Sequence, residues 1–296
     1  MKTVRVDAPP PIASPFVDAA IEAALLEDLG LQGDITTNAT VSATAKAEAV
    51  IAARKDGVIS GLQLAEAAFR ALDPNVRFEI KKHDAAVVAS GDTIAQISGN
   101  ARALLTAERV ALNFMGRMSG IATLTRRYVD AVTGTKARIA DTRKTTPGLR
   151  AFEKYAVRCG GGQNHRTGLF DAILIKDNHI VAAGGLPAAI EAARAAAGHM
   201  IKIEVEVDTL DQLREVLLHK VDAVLLDNMT TAQLRDAVKL VAGRCITEAS
   251  GGVNLETVRA IAETGVDMIS VGALTHSAAV LDLGLDFQEA PKTRRA

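Results

Sequence analysis

The chain has 296 residues, 48% of them hydrophobic, enough to bury a full core and form two domains or one large α/β unit. Its formal net charge of -1 argues against a nucleic-acid surface, which needs a basic face to neutralise phosphates. No run approaches the ~20 apolar residues of a membrane-spanning helix, MKTVRVDAPP leads into polar sequence instead of a signal-peptide core, and Cys159 and Cys245 are too few and too widely spaced for a disulfide framework or zinc site, so a cytoplasmic protein with two buried bystander thiols is expected.

Along the chain, SPFVDAAIEAALLEDLG reads as a helix, and KAEAVIAARKDGVISG, VRFEIKKHD and GDTIAQISG read as strands broken by Gly and Asp turns. Residues 1–115 are therefore expected to form an α+β sandwich domain, with 279–296 packing back on it and the tail PKTRRA frayed. A long helix over TAERVALNFMGRMSGIATLTRRYVDAV leads into a second domain, 116–278. There, short β-branched runs recur at ARIAD, DAILIK, IKIEVEV, DAVLLD, RCITEA and DMISVG, with Ala/Leu/Glu-rich helical stretches between most of them. The last four runs start 21 to 23 residues apart, a spacing that fits strand–helix units and a parallel sheet.

A parallel sheet of this kind is either an open doubly wound sheet or a barrel. In a barrel the C-terminal strand ends converge on one mouth, whereas an open sheet gathers its site at one switch point. Here nearly every strand ends in reactive or anion-binding residues: Thr142, Arg143 and Lys144 after the first, Lys176 after the second, Glu204 and Glu206 in the third. Asp227 ends the fourth, Ser250, Gly251 and Gly252 follow the fifth, and Gly272 follows the sixth. The fold class expected is α/β, an incomplete parallel α/β barrel of about six strands with an N-terminal α+β sandwich domain.

Between Arg138 and Lys176 eight basic residues face three acidic ones, a concentration that in a nearly neutral chain points to a pocket for a small polyanion. Arg109, Arg143, His165, Arg166, Lys144 and Lys176 form the candidate set, because Arg forks match planar carboxylates. Arg150, Lys154 and Arg158, on a helix-like stretch, are instead expected to pair with surface acids. Glu204 and Glu206 share one strand face and, with Asp227, put carboxylates into the mouth. They would answer either Mg2+ with substrate oxygens or the basic set itself; a structural ion pair inside the barrel is the alternative, stronger for Glu204 than for the other two. Two Gly turns after the final strands, Ser250 to Gly252 and Gly272 with Ala273, suit a phosphate cradle made of backbone amides. His165 and His276 have no His or Cys partner at ligand spacing, so His165 reads as a donor to an anion and not as a metal ligand.

Taken together, EDLGLQGDITT, DTRKTTPGLRAFEKYAVRCGGGQNHR, KDNHI, IEVEVDTLDQL, LLDNM, EASGGV and ISVGALTHS resemble the quinolinate phosphoribosyltransferase family over almost the whole chain. The resemblance implies transfer of phosphoribosyl from phosphoribosyl pyrophosphate to quinolinate, with loss of CO2, in NAD synthesis. It implies that Arg143, His165 and Arg166, with Thr142 and Lys176, hold quinolinate, and that Arg109 reaches the site from the neighbouring subunit of a homodimer with shared active sites, which could assemble further. Lys144, Glu206, Asp227, Ser250, Gly251, Gly252, Gly272, Ala273 and His276 would bind phosphoribosyl pyrophosphate. Lys144, Lys176, Glu206 and Asp227 would be the catalytic groups, the last two also holding Mg2+. A nicotinate-using or molybdenum-linked relative and a non-catalytic anion binder are the rival readings.

Overall fold

The computed structural model describes residues 6–288; the tail PKTRRA and the first five residues of the N-terminal segment lie outside them. Among the described residues there are twelve strands: β1 (Lys46–Ala53), β2 (Gly57–Val58), β3 (Arg77–Ile80), β4 (Val87–Val88), β5 (Thr93–Asn100), β6 (Arg138–Ala140), β7 (Ile173–Ile175), β8 (Ile203–Val207), β9 (Ala223–Asp227), β10 (Ile246–Ser250), β11 (Met268–Ser270) and β12 (Leu283–Phe287). The described residues group into two units, one of 6–124, 151–161 and 278–288, the other of 125–150 and 162–277. No helix among the described residues is long and apolar enough to cross a membrane.

The first unit is built on an antiparallel sheet in the order β12–β1–β5–β3, with β2 and β4 pairing separately. Helices Ser14–Leu29 and Leu62–Leu72 pack on each other, and Ile51, Leu64, Phe69, Ile94 and Ile97 are fully buried in its core. Helix Leu62–Leu72 places Leu62, Ala65 and Phe69 on one buried stripe, the i, i+3, i+7 spacing of an amphipathic helix. The C-terminal segment crosses Gly116 and Gly120 of helix Ala101–Ala131 closely enough that a Cβ on Gly120 would stand 2.0 Å from the Ala279 carbonyl oxygen. Only glycine admits that approach. Leu281 N–H then donates to the Gly116 carbonyl, and β12 runs antiparallel along β1.

The second unit is a six-stranded, all-parallel sheet in the order β6–β11–β10–β9–β8–β7. Strands 7 to 11 follow one another around the sheet and β6 joins beyond β11, which is the circular order of a barrel left open between β6 and β7. The expected incomplete barrel of six strands and the separate N-terminal sheet are both present. The crossovers form for local reasons: Thr209 and Gln212, and again Thr230 and Gln233, make reciprocal capping boxes that start helices Leu210–Val216 and Thr231–Val241. Each strand reads as a β-branched apolar run because it is covered on its helix-facing side, and Val205, Val224 and Ile269 are completely buried. Since all six strands point one way, their C-terminal ends make a single rim.

Candidate functional site

That rim encloses a cavity of about 700 Å³, and every residue lining it belongs to the second unit. Of the residues singled out from the sequence, Thr142, Arg143, Lys144, His165, Arg166 and Lys176 line it on one side. Glu206, Asp227, Ser250, Gly251, Gly252, Gly272, Ala273 and His276 line the remainder. Arg109 does not: it is exposed on helix Ala101–Ala131, in the first unit.

The basic wall is stitched from below. Asp141, at the end of β6 and fully buried, accepts the His165 N–H at 2.8 Å and the Asn164 side-chain amide at 2.6 Å. A parallel bridge between Ala140 and Gln163 extends this join. Arg150 was expected to meet a surface acid. Instead it donates to Thr145 Oγ1 at 2.9 Å and to the carbonyls of Thr167 and Arg143 at 3.2 and 3.3 Å. Its planar fork suits several convergent acceptors, and it clamps the loop that carries Arg143. Arg143 Nε is buried without a hydrogen-bond partner. Burial and the like charge of Arg143 push the Arg166 guanidinium below its ordinary value, with Glu204 and Asp171 pulling it back. Two guanidinium groups close enough to repel, one with an unanswered donor, make a wall that an anion with more than one carboxylate would complete.

The carboxylates and the Gly turns adjoin this wall and line the rest of the cavity. Glu206 on β8 forms an ion pair with Lys176, and Asp227, at the end of the neighbouring β9, accepts from Asn228 Nδ2 at 2.6 Å. Oxygen ligands on adjacent strands, opening into a cavity of phosphate-sized turns, fit a hard divalent cation. Asn228 holds a left-handed φ of 53° and donates its backbone N–H to the Ser250 carbonyl. It therefore presses on Gly251, where a Cβ would lie 2.1 Å from Asn228 Oδ1; glycine is required there by the close approach. Gly272 sits against the Lys144 stem and the His276 ring, 3.2 Å from a Cβ position, and Thr275 Oγ1 ties this turn to the Lys144 carbonyl at 2.7 Å.

His165 lies in the basic wall, but both ring nitrogens are engaged within the protein. Nδ1 accepts the Arg166 backbone N–H at 2.8 Å, and Nε2 is 3.0 Å from Glu204 Oε2 and 3.5 Å from Glu248 Oε2. The ring nitrogen and two carboxylate oxygens lie within 4.8 Å of one another. Of the two readings left open for Glu204, this is the contact inside the barrel, made as a hydrogen bond from His165 Nε2. Burial, then the charge of Glu204, pushes the Glu248 carboxyl up to about 7, with His165 and Ser270 acting against them. Asn228, Glu248 and Ser270 also line the cavity and were not singled out from the sequence. Their signals were present: Asn228 follows Asp227 directly, and Glu248 shares the alternating strand face of Ser250.

Two family models match the chain: "Quinolinate phosphoribosyl transferase, N-terminal domain" over residues 34–119 and "Quinolinate phosphoribosyl transferase, C-terminal domain" over 121–286. A Bacillus subtilis protein named "Probable nicotinate-nucleotide pyrophosphorylase [carboxylating]" is 47% identical over 261 residues, covering 88% of this chain and 90% of its own length. The Mycobacterium leprae nicotinate-nucleotide pyrophosphorylase [carboxylating] is 48% identical over 274 residues, covering 90% and 95%. Among solved structures, the nicotinate-nucleotide pyrophosphorylase from Francisella tularensis superposes with a TM-score of 0.91 at 39% identity, covering 96% of this chain and all of that one.

Proposed function

This chain belongs to the quinolinate phosphoribosyl transferase family, and from that premise we propose that it joins quinolinate to phosphoribosyl pyrophosphate, releasing pyrophosphate and CO2 and leaving nicotinate mononucleotide for NAD synthesis. The observation that carries this reading is the pairing of Arg143 with Arg166 on the cavity wall, Arg143 Nε being buried without a partner. One carboxylate would answer one guanidinium; quinolinate brings two. A nicotinate-specific enzyme would have no use for the second.

In the reaction the pyridine nitrogen forms a bond to ribose C1 as the C1–O bond to pyrophosphate breaks, and positive charge develops on the sugar. The C2–carboxylate bond of the ring then breaks, CO2 leaves, and C2 takes a proton. No covalent enzyme intermediate is needed, so the protein contributes position and electrostatics. Arg143 and Arg166, with Thr142 alongside, orient the ring. Lys144 and Lys176 answer the negative charge at the reacting centre. Backbone amides of Ser250 to Gly252 and of Gly272 and Ala273 hold the 5-phosphate, with His276 beside them. Glu206 and Asp227 bind ribose hydroxyls and would hold Mg2+, which when bound neutralises the pyrophosphate leaving group. Incubating the purified protein with quinolinate, phosphoribosyl pyrophosphate and Mg2+, with nicotinate in parallel, tests the reading. Nicotinate mononucleotide and CO2 from quinolinate alone are expected; product from nicotinate alone removes the substrate assignment.

The working form proposed is a cytoplasmic homodimer in which Arg109 enters the partner's cavity. Its support is that Arg109 is exposed and is not among the residues lining its own chain's cavity. Arg109→Ala and Lys144→Ala subunits, each inactive alone, should on random mixing recover about a quarter of wild-type activity, since half the dimers are mixed and each has one intact site. Mixed dimers without recovery would refute the sharing.

A further inference from the structure

The surroundings of His165 differ from those of the arginines and lysines in the wall. A nitrogen that accepts the Arg166 N–H at 2.8 Å carries no proton, so the ring proton sits on Nε2, where Glu204 accepts it at 3.0 Å and a Glu248 oxygen stands 3.5 Å away. Nε2 therefore points to the barrel interior and Nδ1 to the main chain of the next residue. Glu204 and Glu248, 8% and 4% exposed, come from β8 and β10 on either side of β9. Two buried carboxylates are costly unless hydrogen-bonded, and here they meet on one imidazole. Asp141 fixes the same loop through the His165 backbone N–H at 2.8 Å. The loop is thus held at main chain and at ring, and the residue it presents next is Arg166.

We propose that Glu204 and Glu248 are positioning residues acting through His165, whose neutral ring fixes the main chain of Arg166 and so aims its guanidinium at a substrate carboxylate, without His165 touching the substrate. The proposal rests on the quinolinate reading of the cavity. It moves His165 from the substrate-holding set implied by resemblance to the layer beneath, and gives Glu204 and Glu248 a part in substrate recognition.

The test is a double-mutant cycle in the full chain: His165→Ala, Arg166→Ala and both together, with KM for each substrate and kcat measured separately. His165→Ala should raise the quinolinate KM about tenfold and leave the phosphoribosyl pyrophosphate KM near wild type. In the Arg166→Ala background the same change should add less than about twofold, because the residue it acts through is gone. Costs that multiply would show direct substrate contact and overturn the proposal. Nitrogen-15 spectra of labelled histidine in the unmodified protein give a readout that requires no variant to fold. Nδ1 of His165 should stay unprotonated and Nε2 protonated before and after quinolinate is added; protonation of Nδ1 on quinolinate binding overturns the proposal. Absence of product from quinolinate in the unmodified enzyme would instead sink the functional reading, so the two failures are distinguishable.

Discussion

Asp84 in the first unit and Glu248 in the second are both buried carboxyls, 9% and 4% exposed, and in both burial is the main force raising the pKa. Asp84 is answered from three sides, by the Gly61 and Leu62 N–H groups at 3.2 and 3.3 Å and by the Tyr155 hydroxyl at 2.8 Å. Cys159 closes the same cluster, its thiol accepting from Ser60 Oγ at 3.4 Å and its pKa pushed up to about 12 by burial and by Asp84. Glu248 keeps one oxygen, Oε1, without a hydrogen-bond partner, and Arg143 near the same rim keeps Nε unanswered. A buried polar group that the protein satisfies is structural; one it leaves open beside a cavity is held for another purpose.

Three substitutions separate the open carboxyl from the satisfied one. The largest effect should come from Arg143→Ala, which removes one fork from the carboxylate wall: kcat/KM for quinolinate should fall about a thousandfold, with an unaltered circular dichroism spectrum. Near-wild-type turnover would remove Arg143 from substrate binding.

Next is Glu248→Gln. The Glu248 carboxyl faces Glu204, Asp141, His165 and Ser270, and its folded value of about 7 lies above an ordinary 4.5. Its proton is therefore bound more tightly in the folded state, so its contribution to stability is fully present below about pH 4.5 and is lost as pH rises through about 7. Urea midpoints of the wild type, compared with Glu248→Gln, should decline across that window by the equivalent of up to about 3 kcal/mol. Parallel pH curves for the two proteins would show that Glu248 is ionised throughout.

The smallest effect belongs to the satisfied cluster. Tyr155→Phe removes one donor from Asp84 and should cost about 1–2 kcal/mol of stability while both substrate KM values stay put. A shifted KM would mean that the cluster reaches the site after all.

Much of the barrel was legible because strand period and strand ends are local properties. Thr142 to Lys144, Lys176, Glu206, Asp227, Ser250 and Gly272 sit where β-branched runs stop, and all of them line the cavity. What escaped was made by distance. Glu204 was singled out but its pairing was not: His165 lies 39 residues away, and Glu248 joins it from two strands further round the sheet. Helix Leu62–Leu72 has an amphipathic stripe but no capping residue of its own. It begins at Gly61, with φ of 103°, and the carboxylate that receives its first N–H groups is Asp84, 22 residues downstream from Leu62. Arg150 was misjudged for a related reason: its acceptors are carbonyls of loops, which carry no side-chain signature.

The pairing of β12 with β1 also bears on how the protein is made. On the ribosome β1 emerges early, yet its outer neighbour in the sheet is not translated until the entire barrel has been. The β1–β12 ladder is clipped by Arg54 and Asp286, 232 residues apart. A nascent chain would therefore carry an open sheet edge through most of its synthesis, the state in which edge-to-edge association between chains is easiest. Synthesis of β12, after all six barrel strands, and not completion of the N-terminal sequence, is the step at which the first sheet becomes whole.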